Sequence, residues 1–285
     1  MKYIPKELQE EVNVTPVHPL VNFTHLLGTV CAAGAVIYVG LGIVAAQLSP
    51  RLSPALEAKL GDALMSTLLQ EAELLSDRRV EYLQALTESL QPKALDPPVQ
   101  VQILAASAPN AMVLPGGHLL VTTGLLDSVT TENELAFVLA HELGHLEAED
   151  PLKGLGRSLV LLAFNSALGL SNVRVIQLLP IAGNLADLRH SRSQERAADR
   201  YALEVIVNHY GHGSRSLDFF EQLSQSELNW GALGSMAEWQ STHPLTPARL
   251  EQLKALAAAQ NWPMEGEPTP LPARLHCADF ADCEK

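Results

Sequence analysis

The hydrophobic positions change period several times along this chain, and each change marks an element. No charged residue occurs between Glu11 and Arg51, and Leu26 to Leu48 is almost wholly apolar, rich in Gly, Ala, Val and Leu. At 1.5 Å per residue, a helix over that stretch is long enough to cross a hydrocarbon core of ~30 Å. A cleaved signal peptide has a basic start and a shorter apolar run, whereas Glu7, Glu10 and Glu11 precede this one. Residues 26–48 are therefore expected to be a retained membrane anchor. Lys2 and Lys6 on one flank balance Arg51 and Lys59 on the other, so the basic residues hardly encode the orientation.

Ser53-Pro54 opens a helical stretch, with Pro suited to a first turn and Leu56, Leu60, Leu64, Leu68 and Leu75 at helical spacing. A second helix is expected from about Arg78 to Leu90, ahead of Gln91-Pro92. The period then drops to two. Val99, Val101 and Ile103 alternate with polar residues as in a half-buried strand. Ala111 to Leu114 and Leu119 to Thr122 read as two more strands around the Pro115-Gly116-Gly117 turn, with His118 as an exposed loop residue. An edge strand there could pair with an extended peptide.

Helical patterns return after Thr131 and run through Ser191–Tyr201 to Phe219, Phe220 and Leu223. Ser158 to Leu170 and Val173 to Ala186 are apolar but too short to span a bilayer. They read as buried core helices, with a segment dipping into the membrane surface as the alternative. Gly231 to Trp239 reads as a mobile loop that could border a cleft, and Thr246-Pro247 starts a final helix with Arg249, Leu250, Leu253 and Leu256. From Pro263 the chain is proline-rich and is expected to leave the fold. Together these elements predict a mostly helical α+β fold. Residues 1–50 are expected to be an N-terminal segment with the anchor, 51–262 the main folded domain, and 263–285 a tail.

A length of 285 residues suits one good-sized domain with appendages, and a net charge of −13 argues against nucleic acid as a partner. Cys277 and Cys283 could close a disulfide in the tail or remain free thiols.

The chemistry lies in Ala140-His141-Glu142-Leu143-Gly144-His145, an H-E-x-x-H pattern. Thr131 and Glu134 form a capping-box signature ahead of it, and Asp150-Pro151 is expected to end the helix. On a helix, His141 and His145 share a face and can point at one metal ion, a pairing that suits zinc. Glu142 is then placed to activate water there. Gly144 inside a helix costs roughly 1 kcal/mol relative to alanine. Either a close approach by another backbone or a substrate, or simple packing, accounts for it. A catalytic zinc site has three protein ligands. In Ser191–Ala202, Glu195 could supply the third, and Asp199, four residues on, could accept the outer N–H of a ligating histidine.

H-E-L-G-H followed by S-R-S-Q-E-R-A-A-D resembles the gluzincin metallopeptidases of the CAAX prenyl endopeptidase and HtpX heat-shock protease type. Asn110–His118, Val121–Leu126, and Thr242-His243-Pro244 with Arg249 resemble that family too. The resemblance covers roughly residues 55 to 260. It implies a zincin-like domain holding one zinc ion on His141, His145 and Glu195, with Glu142 as general base and proton shuttle. It also implies support from Asp199, a catalytic role for His243 near the oxyanion, and a substrate-lining role for Asn110 and Ala111. The expected activity is zinc-dependent endopeptidase cleavage of polypeptide substrates in membrane or envelope protein quality control. A single anchor in the lipid bilayer favours the single-span or soluble quality-control branch, with the catalytic domain expected on the extracytoplasmic side. Two other classes remain: a latent zinc-bearing chaperone or assembly factor whose site is occluded, and a membrane-anchored scaffold in which the motif is accidental.

Overall fold

The alternation at residues 99–103 becomes part of a small mixed sheet in the computed structural model, which describes residues 19–48, 54–69, 73–76, 78–155, 190–226, 243, 247–272 and 275. Strand β1 (Leu74–Leu75) pairs antiparallel with β2 (Gln100–Leu104), β2 runs parallel to β4 (His118–Thr122), and β4 pairs antiparallel with β3 (Ala111–Leu114). The order is β1-β2-β4-β3, so β3 is an edge strand. Gly116 and Gly117, at φ 81° and 80°, make the turn between β3 and β4 in a conformation that a Cβ disfavours.

Both faces of this sheet are covered, which is why β3 and β4 are buried at every position. Val101, Ile103, Ala111, Val113, Leu119 and Val121 join the main core, while Leu104, Met112, Leu114 and Leu120 face a second cluster with Leu64 and Met65. Those last two lie on α2 (Pro54–Leu68). His118 falls on the face that α2 covers, and it is buried (6% exposed) with Nε2 3.4 Å from Asp62. The expectation of an exposed loop histidine is corrected: the loop ends at Gly117, and His118 already pairs with Leu114 in the ladder. Leu75 likewise leaves the helical stripe. Helix α2 stops at Leu68, and Leu75 pairs with Ile103 as a strand residue.

Helix α3 (Arg78–Leu90) packs beside β2, and α4 (Thr123–Ser128) follows β4. Helix α5 (Glu132–Glu147) runs through the centre, with every residue from Asn133 to His145 buried. Each fully buried Leu or Phe contributes about 1.5–3 kcal/mol, so this helix is held by its packing far more than by propensity. Thr131 Oγ1 accepts from the Glu134 N–H at 3.3 Å, as the cap signature predicts. The Glu134 carboxylate turns to Thr130 N instead of Thr131 N. The helix ends at Glu147, before Asp150-Pro151; Glu149 takes φ 53°, and residues 150–155 are again helical with Pro151 in their first turn.

Helix α6 (Arg192–Tyr210) lies against α5, followed by α7 (Asp218–Ser226) and α8 (Pro247–Gln260). Residues 263–272 do not leave the fold. The Thr269 carbonyl accepts from Glu132 N at 3.0 Å, the Asn133 carboxamide accepts from Thr269 N at 2.8 Å, and Leu275 is 1% exposed. The first of these bonds satisfies a donor that every helix start leaves unpaired, and together the two anchor the head of α5. Glu132 accepts further bonds from Tyr82 (2.5 Å) and Tyr210 (2.9 Å), tying α3, α5 and α6 together.

The expected anchor coincides with a helix, α1 (Pro19–Leu48), and Leu20, Phe23, Leu26, Val30 and Val36 on it are exposed. Among the described residues no helix is long and apolar enough to cross a membrane; the side chains at 19, 37, 38, 41, 42 and 44–48 are outside that set. The apolar pieces at 158–186, the loop at 231–239, and Cys277 and Cys283 also lie outside the described residues.

Candidate metal centre

Gly144 sets the distance between the two helices that build the site. A Cβ there would lie 3.1 Å from the Ala198 Cα and 3.2 Å from the Tyr201 ring, so α5 and α6 meet backbone to backbone. That contact puts Glu195, near the start of α6, opposite His141 and His145. A capping box formed by Ser191 and Gln194 starts α6 at that point.

Four donor groups converge: His141, His145, Glu195 and His243, all buried. His141 Nε2 lies 3.2 Å from His145 Nε2 and 3.6 Å from Glu195 Oε2, and His145 Nε2 lies 3.5 Å from Glu195 Oε1. Tetrahedral zinc with ligands at about 2.0–2.2 Å separates its donor atoms by ~3.3–3.6 Å. The spacing therefore fits a single zinc ion. His243 Nδ1 also keeps such distances, 3.4 Å from His141 Nε2 and 3.1 Å from Glu195 Oε1. Its Nε2 is 3.3 Å from Glu142 Oε1.

Each ring nitrogen that faces away from the centre meets a carboxylate. His141 Nδ1 is 3.2 Å from Asp199 Oδ1, and His145 Nδ1 is 2.9 Å from Asp150 Oδ2. These contacts keep the proton on Nδ1 and leave the Nε2 lone pairs for a metal. Asp199 is gripped by Arg249 through two bonds of 2.9 and 2.7 Å, and a third guanidinium nitrogen is 2.6 Å from Glu195 Oε2. Gln194 Nε2 donates to Asp150 Oδ1 at 2.7 Å, so the turn of α6 that carries Glu195 also steadies the support of His145.

The charges follow this geometry. Burial raises the Glu195 and Asp199 carboxyls, but the histidines around both, and Arg249 beside Asp199, overcome it and hold both below the usual range. Burial lowers His141 and His145, and their carboxylate partners more than reverse it. His243 stays low, at about 4, chiefly through burial. Glu142 is the exception among the carboxylates. Burial first, with the charge of Glu195 adding, pushes it up to about 8 against the pull of His141 and the Val113 N–H. Neither of its oxygens has a hydrogen-bond partner of good geometry among the described residues, and it is not in the donor group.

Asn110 and Ala111 lie at the head of the edge strand, both 0% exposed, and both polar atoms of the Asn110 side chain lack partners among the described residues. Asp150, Arg249 and His190, whose ring stacks on His145 at 3.8 Å, are neighbours of the site that the motif reading did not place there. A signal for Arg249 exists: it shares one helix face with the buried Leu253 and Ala257, where an unpaired guanidinium would be costly. Replacing Asp150 with Ala is expected to weaken zinc binding by about 10–100-fold, measured by chelator competition. Unchanged affinity would leave Asp150 a purely local contact.

Comparison with known proteins points the same way. Bovine "Metalloendopeptidase OMA1, mitochondrial" is 32% identical over 197 residues, which is 62% of this chain and 37% of that protein. "Protease HtpX homolog" of Salinibacter ruber is 29% identical over 216 residues (65% and 78%), and "Metalloprotease LoiP" of Escherichia coli is 28% identical over 210 residues (68% and 81%). The chain matches less than half the length of the bovine and Saccharomyces cerevisiae OMA1 proteins, at 37% and 43%. The model of Peptidase family M48 matches residues 77–257, a span that runs from α3 almost to the end of α8 and takes in all four donors. The chain belongs to peptidase family M48.

Proposed function

We propose that this protein is a membrane-anchored, zinc-dependent metalloendopeptidase of the single-span quality-control branch, with its catalytic domain (51–262) on the extracytoplasmic side. The observation that carries the catalytic reading is the triangle of His141 Nε2, His145 Nε2 and the Glu195 carboxylate, with edges of 3.2, 3.5 and 3.6 Å. The relatives named as metalloendopeptidase, protease and metalloprotease support it. The anchor reading rests on the apolar stretch 26–48, about 34 Å long as a helix, and on the exposed apolar side chains of α1.

Zinc held there would polarise the scissile carbonyl and lower the pKa of water. Glu142 accepts the proton of the attacking water and hands it to the leaving amine. Its elevated pKa suits both halves of that task. The edge strand β3 pairs with the extended backbone of the substrate, and the buried amide of Asn110 offers it a donor and an acceptor. His243 donates from Nε2 to the oxyanion.

The experiment is zinc content measured beside casein cleavage, on wild type and His141→Ala. One zinc with cleavage in wild type, both lost in the variant, is the expected result. Tight stoichiometric zinc in His141→Ala would remove that residue from the ligand set.

A second reading stands on one observation: His243 Nδ1 sits at ligand-to-ligand distance from both His141 and Glu195. With His243 as fourth donor the shell is closed, and the chain is a latent zinc-bearing chaperone or assembly factor. His243→Ala separates the two. Loss of an oxyanion donor lowers the rate by about 10²–10³-fold, whereas opening a closed shell raises it.

A further inference from the structure

The centre holds more donors than one tetrahedral ion takes. Beyond His141, His145, Glu195 and His243, a second group overlaps it: His145, Asp150 and His190 offer donor atoms that all lie within 4.8 Å of one another. His190 immediately precedes the Ser191 cap of α6, and its ring lies on the face of His145 at 3.8 Å with 13° between the planes. It is half-buried, so it connects the centre with solvent. Asp150 is 3% exposed, with Oδ2 on His145 and Oδ1 on Gln194. A carboxylate oxygen has two lone pairs, so each oxygen keeps one acceptor position beyond those bonds. A cation already approaches that side, because the Lys153 ammonium is 3.9 Å from Oδ1.

We propose that His190 and Asp150 form a second, weaker site for a divalent transition ion on the outer side of His145, which fills at excess metal and inhibits the enzyme. The proposal rests on the reading of the first site as a zinc centre. Imidazole nitrogen with carboxylate oxygen and water selects zinc or cobalt over magnesium and calcium. Inhibition follows from two effects. An ion on Asp150 draws charge away from the bond to His145 Nδ1 and so weakens His145 as a ligand. It also places a second double charge a few ångströms from the first ion, in a buried region where screening is weak.

The test uses the full chain, stripped of metal and then dialysed against increasing free Zn²⁺, with bound zinc counted by atomic emission and peptide cleavage followed in parallel. Wild type is expected to bind one zinc at low free metal and a second at higher, with cleavage falling several-fold as the second binds. Mg²⁺ and Ca²⁺ should reproduce neither change. His190→Phe keeps a flat ring on His145 but removes the donor, so it should hold the first zinc, refuse the second and escape the inhibition. Lys153→Gln removes a competing cation and should fill the second site at lower zinc. A wild type that stops at one zinc, or a His190→Phe protein that still takes two, overturns the proposal; in the latter case the extra ion sits elsewhere among the ten histidines of the chain. Zero zinc in wild type overturns the first site and, separately from those outcomes, removes the ground on which the second stands.

Discussion

Glu142→Gln is expected to keep its zinc and to lose cleavage by about 10²–10⁴-fold, the range that a positioned acid–base group contributes. The substitution preserves shape and removes only the ability to take and return a proton. Zinc should survive because Glu142 lies outside the donor group, its Oε1 facing His243 Nε2 at 3.3 Å. Atomic emission and initial rates on a fluorogenic peptide measure the two properties in one sample. Zinc and activity falling together would make Glu142 structural. Undiminished cleavage would take it out of the chemistry.

The same substitution has a signature in stability. In metal-stripped protein, burial raises the Glu142 carboxyl from 4.5 to about 8, so folding favours its neutral form. That contribution is whole below the unfolded value and is lost as pH rises through the folded one. Glutamine never ionises. Metal-stripped Glu142→Gln should therefore melt increasingly above wild type on going from about pH 5 to about pH 9, by up to a few kcal/mol at roughly 1.4 kcal/mol per pKa unit. A pH-independent difference would mean that the carboxyl is already ionised when folded.

Local periodicity carried the reading where the relevant partners are near in sequence. The helix with His141 and His145, the cap at Thr131, the β3–β4 hairpin and the helix with Glu195 and Asp199 all follow from spacing within one element. What escaped depends on contacts between elements. Arg249 meets Asp199 fifty residues away, and the Thr269 bond that seals the head of α5 reaches back 136 residues to Asn133. A proline-rich run does not disclose that its backbone will serve as a cap. Asp150 was hidden differently. Before a proline it reads as a helix stop, and only the turn at Ala148–Glu149 swings it back onto His145. Leu75 continued the leucine spacing of α2 and still became a strand residue, because the edge of β2 offered backbone partners that periodicity cannot count.

Arg249→Ala is expected to cost about 3–5 kcal/mol in metal-stripped protein, the usual result of removing one partner from a buried charged set. Arg249 is 7% exposed and is the guanidinium that faces both Asp199 and Glu195, with contacts of 2.6–2.9 Å. Without it, the two buried carboxylates face only histidines among the described residues. Zinc should recover part of the loss, since the ion neutralises Glu195 in place of the guanidinium, so the deficit in melting temperature should shrink on zinc loading. The pH dependence supplies a sign. In wild type the Asp199 and Glu195 carboxyls are held low by the histidines around both and by Arg249 beside Asp199, and their contribution is present above the unfolded carboxylate value and lost as pH falls below it. In the variant, Asp199 loses the Arg249 part of that pull and its carboxyl shifts upward, while the histidines still hold Glu195 low. The part of the difference between variant and wild type that comes from Asp199 should therefore be constant near neutral pH and narrow as pH falls into the carboxylate range, below about pH 5. Arg249→Lys keeps the charge but cannot span both carboxylates with a planar fork, so it should fall between the two. A variant as stable as wild type at pH 7, with or without zinc, would mean that the histidines balance the carboxylates unaided and that Arg249 is dispensable to the centre.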